Sequence, residues 1–319
     1  MITALSTYSQ SVLTQLFATP TVDEQDTKTA STRTRQADTP GIIRDVVEIS
    51  PEAQSLLEAE QAREAALEER ISYFEQFRPT REGFSARNLA LGIADPSAQP
   101  FSQERPFEEV ATAARENLDA KYAAMQESGA PYGSNSFEGV DTNSLFGDLD
   151  RRALYAVASN EGGQFTEEEQ STARDLMIGQ QGMAMGLYHG PTRLNGEFTE
   201  RLLPDHEQKY KDGIAYLDQV SIEEKATSVE WAYSRAAVQR GYENAVEARG
   251  GIAENTASGH PLVTLIRAAF DSWEDHPGMM QRGNIEDADD LRRQEWFAPF
   301  TDRLDRTIAE TRELYGVEA

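Results

Sequence analysis

From Ser50 onward, apolar residues recur at intervals of three and four, the period of an amphipathic helix. Ser50 is a suitable N-cap and Pro51 suits a first helical position. Leu56, Leu57, Leu67, Ile71, Phe74 and Phe77 then form a stripe that ends at Pro79. Residues 79–105 are rich in Gly, Pro and Ser and read as loop, with a short turn at "ARNLALG". A second helix is expected from Pro106 to Ser128, with Phe107, Val110, Ala114, Leu118, Tyr122 and Met125 on one face, before "SGAPYGSNSFEG" breaks the chain. Further helices follow at Ser144 to Ala158, from Thr166, from Ser221 to about Arg249, and from Pro261 through Trp273. A last one spans 285–315 and is interrupted at Pro299. Thr166 with Glu169, and Ser221 with Glu224, carry the Thr/Ser-x-x-Glu signature of a capping box. Period-two strand patterns are almost absent, so the pattern predicts an all-α, multi-helix bundle.

Residues 1–19 place Ile2, Leu5, Val12, Leu13, Leu16 and Phe17 at roughly helical spacing, and a polar, Thr-rich run follows Pro20. Such a run buries too little surface to offset its ordering entropy, which predicts a disordered tail over 1–49. The expected organisation is that tail, two long helices joined by a loop over 50–128, and a helical domain over 144–316.

Composition narrows the chemistry. The 319 residues suffice for one large or two ordinary cores, and a mean hydropathy of −0.60 fits a folded body with a polar tail. No cysteine is present, which excludes disulfides, thiolate metal sites and cysteine nucleophiles. A net charge of −25 repels nucleic acid and anionic lipid. No apolar run reaches the roughly 18 residues of a membrane span, and the start lacks a signal-peptide pattern, so a cytoplasmic protein is expected. The skew to arginine over lysine (25 to 5) suggests a GC-rich bacterial source.

Two stretches share Gly-x-Phe-Thr-Glu, "GGQFTEEE" from Gly162 and "NGEFTE" from Asn195. With Phe165 at loop position 8, Ala158 to Glu169 resembles a degenerate EF-hand loop, and residues 144–215 resemble a degenerate pair of such units. The resemblance implies oxygen ligands at Asn160, Gln164, Thr166 and Glu169, a calcium cofactor, and position-8 residues Phe165 and Phe198 facing each other across a short bridge. Ala158 and Gly162 stand where the motif wants Asp or Asn. The second loop, Pro191 to Leu202, has proline, Arg193 and leucine at ligand positions, and no calcium is expected there. Gly179, Gly182 and Gly186 would supply the turn between the two units. The alternative is two helix starts that each follow a glycine.

None of the four histidines, His189, His206, His260 and His276, has metal-motif spacing, and no Walker, Rossmann or Gly-x-Ser-x-Gly motif occurs. Asp271, Glu274, Asp275 and His276 cluster after a helix. "GLYHGPTRLNGEF" brings Tyr188, His189 and Arg193 onto one loop that could line a pocket. The expected function is therefore non-enzymatic: a helical protein-interaction or scaffold protein with a protein partner. A second expectation is a substrate or partner of a flagellar-type export apparatus, since "VEISPEAQ" resembles a phrase of bacterial flagellar regulators and hook-associated substrates. A calcium-responsive module is the third.

Overall fold

In the computed structural model, residues 50–199, 206–273 and 285–317 are described. The expectations for the 1–49 tail, and for Glu274, Asp275 and His276, lie outside these residues. The described residues from Pro51 onward form one compact unit. Among the described residues there are twelve α-helices and no strand, as the hydrophobic period requires. None of these helices is long and apolar enough to cross a membrane.

The helices are α1 (Pro51–Glu75), α2 (Arg87–Ala94), α3 (Phe107–Glu127), α4 (Val140–Phe146), α5 (Arg151–Ala158) and α6 (Glu167–Ala184). They continue as α7 (His206–Gln219), α8 (Ile222–Thr227), α9 (Val229–Glu247), α10 (Pro261–Ser272), α11 (Ala288–Arg292) and α12 (Thr301–Tyr315). Two predicted helices are each broken in two. The stretch from Ser144 to Ala158 divides because Asp150 leaves the helical conformation to cap α5, accepting from Ala153 N while also holding the backbone N–H groups of Phe101 and Ser102. The stretch from Ser221 to Arg249 divides at Ser228, which is extended (φ −89°, ψ 114°) and whose hydroxyl caps α9 through Trp231 N. Each break is a capped helix start, whose capping side chain satisfies one of the backbone N–H groups that the new helix end exposes.

Three apolar clusters are formed by the described residues. One joins Leu89 and Leu118 to Leu154 and Phe165, so residues 50–128 and 144–316 share a core. A second gathers Ile71, Phe74, Phe77, Met183 and Phe198. The third, from α7, α9, α10 and α12, surrounds Trp231, Ile266, Phe270 and Phe297. Helix α6 contributes Ala173 and Leu176 to the first and Met183 to the second, and Met185, just beyond its end, to the third.

The apolar stripe of α1 is only partly covered. Ile71 and Phe74 are buried, whereas Leu56 is 72% and Leu57 47% exposed. Only the C-terminal end of α1 packs into the second cluster, beside α2. An amphipathic pattern shows which face is apolar, not whether another element reaches it.

A buried ion pair ties α5 to α8. Arg151 donates from Nε and Nη2 to the two carboxylate oxygens of Glu224, at 3.1 and 2.6 Å, and both side chains are almost wholly buried. The remaining Nη1 of Arg151 donates to Met177 O, Gln180 Oε1 and the Tyr216 hydroxyl, which in turn donates to Gly92 O.

Candidate functional site

Among the described residues four arginines are buried: Arg78, Arg151, Arg152 and Arg235. Burying a guanidinium is costly unless a carboxylate accompanies it. Arg151 meets Glu224, Arg152 meets Glu223, and Arg235 meets Asp218. Arg78 has no carboxylate within ion-pair distance among the described residues. Its Nη2 points at the Met183 sulfur, 3.7 Å away, and its Nε is buried with no acceptor. Burial pushes its pKa down to about 10, which still leaves it charged at neutral pH.

Local structure fixes this placement. Pro79 disfavours a helical conformation at Arg78, so α1 closes in tight turns from Phe77 N to Phe74 O and from Arg78 N to Glu75 O. Phe77, fully buried, anchors the turn and lays Arg78 against α6. There the helix carries Gly179, where a Cβ would stand 3.3 Å from Arg78 Nη2, and Gly182, where a Cβ would stand 2.5 Å from His189 Cδ2. Gly179 and Gly182 therefore do not make the expected turn. They lie inside α6 and clear room for a guanidinium and an imidazole. The turn belongs to Gly186 (φ 74°), with Leu187 N donating to Gly182 O.

Arg78 lines a groove of about 1050 Å³ between α6, the residue 134–143 segment and the 188–193 loop. Tyr188 closes that loop by donating to Pro191 O at 2.5 Å. Arg193, at the rim, is neutralised by both carboxylate oxygens of Glu138 (2.8 and 2.7 Å). Thr142, Asn143 and Thr172 add polar groups, and Asp175 lines the wall without pairing with Arg78. Partial burial, and then the Arg78 charge, hold His189 below the ordinary histidine pKa. The groove thus has one donor that is charged at neutral pH and has no carboxylate partner among the described residues, and beside it an imidazole held below the ordinary histidine pKa.

Gly182→Ala separates the fit of His189 from helix stability. Alanine adds up to about 1 kcal/mol of helix propensity but drives the His189 ring off the helix face. NMR titration of the imidazole should show its pKa rising toward the ordinary value in a protein at least as stable as wild type.

The EF-hand-like residues are placed otherwise than as a ligand shell. Asn160 is left-handed (φ 54°) and its Oδ1 accepts from Phe165 N. Gln164 and Thr166 are exposed, and the Thr166 hydroxyl caps α6. Glu169 is buried; both its oxygens accept from Arg115 Nη1 at 2.9 Å, and Oε2 also accepts from Thr166 N. Burial alone would raise the Glu169 pKa, but the Thr166 N–H and Arg115 outweigh it and hold it low. Phe165 and Phe198 lie in different clusters, Phe198 against Tyr73, Phe77 and Tyr188, so the facing position-8 pair is not formed. Residues 200–202 of the second loop lie outside the described residues. No group of three or more His, Asp or Glu stands together as a metal site among the described residues.

His260 is a structural residue: it caps α10 through Val263 N and bonds Lys225 O. Asp271 pairs with Arg267. The loop of Tyr188, His189 and Arg193 does line a groove. Arg78, its charged floor, has no distinguishing mark in the sequence beyond the proline that follows it. No protein-family model matches the chain, and no curated protein or solved structure matches it either.

Proposed function

We propose that the chain is a non-enzymatic binding protein whose groove receives a carboxylate or phosphoryl group presented by its partner. The observation that carries this reading is Arg78, a buried guanidinium without a carboxylate, facing a groove wide enough for a peptide side chain or chain terminus. An external anion would supply the missing counter-charge, and charge-assisted bonds to a buried guanidinium are among the stronger hydrogen bonds. The surrounding net charge of −25 opposes the approach of anions. Affinity therefore comes from short-range bonds at the floor, and added neutral salt should speed association by screening the repulsion.

The test uses sulfate and acetate as probes of the two anion types, neither of which titrates between pH 6 and 8. An anion beside His189 favours the imidazolium, so binding raises a pKa that is low in the empty groove. The protein then takes up a proton on binding, and affinity rises as pH falls through the histidine range. Glu138, Asp175, Arg78 and Arg193 are the charged groups on the groove walls, and the His189→Gln variant separates the histidine from all of them. Calorimetry should show tighter binding at pH 6 than at pH 8 in wild type and a flat profile in His189→Gln. Equal binding of both probes by wild type and Arg78→Met would overturn the reading.

A further inference from the structure

A second cavity, of about 410 Å³, lies on the other side of α6, among α5, α8, α9 and α12. It shares no lining residue with the groove. Its charged groups mostly cancel: Arg151 is bonded to Glu224, and Arg174 donates to Ala158 O and reaches Glu286 at 3.5 Å. Two groups are left over. Glu230, in the first turn of α9, accepts no hydrogen bond among the described residues. Arg312, in the last turn of α12, has a buried Nε with no acceptor. Met177, Leu217, Trp231 and Ile308 supply apolar wall between the polar groups.

An unmatched carboxyl and an unmatched guanidinium in one cavity ask for a ligand with the opposite charges at its two ends. A lone cation would satisfy Glu230 and leave Arg312 open; a lone anion would do the reverse. We infer that this cleft binds a small amphoteric molecule, an amino acid in the broad sense, with its ammonium group at Glu230 and its acidic group at Arg312. The cavity is within the usual size of small-molecule sites, roughly 300–1000 Å³, and its combination of apolar wall and few polar groups is typical of them.

The electrostatics of Glu230 give the site a distinctive signature. Burial first, then the negative charges of Glu224 and Glu286, push its pKa up to about 7, against the opposing effect of Arg174 and Arg151. Near neutral pH an ammonium group must therefore displace a proton from Glu230 as it binds.

The experiment is a thermal-shift and calorimetric titration of the full chain with glycine, β-alanine, γ-aminobutyrate and ε-aminocaproate. Butylammonium and butyrate serve as one-ended controls. One chain length should fit best and raise the melting temperature by roughly 3–5 °C at about ten times its Kd. Neither one-ended control should match it. Glu230→Gln and Arg312→Gln should each weaken the best probe roughly tenfold or more. At pH 7 the wild-type heat should vary with the ionisation enthalpy of the buffer, and that variation should vanish in Glu230→Gln, which exchanges a carboxyl for an uncharged group of the same shape and is expected to fold. A series in which no member exceeds its one-ended controls, or a Glu230→Gln variant that binds as wild type does, would overturn the inference.

Discussion

Arg78→Met is expected to raise the melting temperature and abolish sulfate binding in the same variant. Methionine keeps an unbranched apolar stem, though a shorter one than arginine, and suits the surroundings of Met183. The buried guanidinium, which has no carboxylate among the described residues to offset its desolvation, is removed. The gain should be about 1–3 kcal/mol, read as several degrees in thermal unfolding. The same substitution at Arg151 should have the opposite sign, because there it strands Glu224 in the core. A stabilising change that destroys binding is the mark of a residue kept for a ligand rather than for the fold. If Arg78→Met instead melts earlier than wild type and still binds sulfate, Arg78 is a structural residue and the groove loses its central feature.

Glu224→Gln should be among the most damaging single substitutions in the body. It leaves the guanidinium of Arg151, a residue only 3% exposed, without its counter-ion at the junction of α5 and α8. Removing one member of such a buried pair costs about 3–5 kcal/mol. For a body of this size that lowers the melting temperature on the order of 10 °C. Replacing both partners by apolar residues, Arg151→Met with Glu224→Leu, should be less harmful than Glu224→Gln alone, although Met177 O, Gln180 and Tyr216 then lose a donor. Chemical denaturation of the three proteins checks this directly. Equal losses in the single and double variants would mean that the hydrogen bonds to Arg151, not its charge, are what matters.

Much of the helical architecture is legible in the sequence because each helix carries its own period and its own start. The Thr166–Glu169 capping box and the proline at the head of α10 are seen where spacing puts them. The breaks at Asp150 and Ser228 are not, because the residues that interrupt the helix are ordinary until their partners are known; Asp150 holds N–H groups almost fifty residues away. The same limit governs the site. "GLYHGPT" reads as a loop able to line a pocket, but Arg78 stands apart only because no carboxylate of the described residues reaches it in three dimensions. One arginine among 25 cannot show that locally. Glu169 is the converse case: its short-range pattern suits a calcium loop, and its partner Arg115 lies 54 residues earlier.

Helix α6 is a shared wall. Thr172, Leu176 and Gly179 face the groove, while Arg174, Met177 and Gln181 face the second cavity. Any occupant that shifts the helix by a fraction of an ångström on one side therefore reshapes the other side. Free-energy linkage then makes the influence mutual: the factor by which an anion in the groove changes affinity in the cavity equals the factor by which the cavity's ligand changes affinity for the anion. With both proposed ligands bound, two openings divided by one helix would act as a device that compares two concentrations.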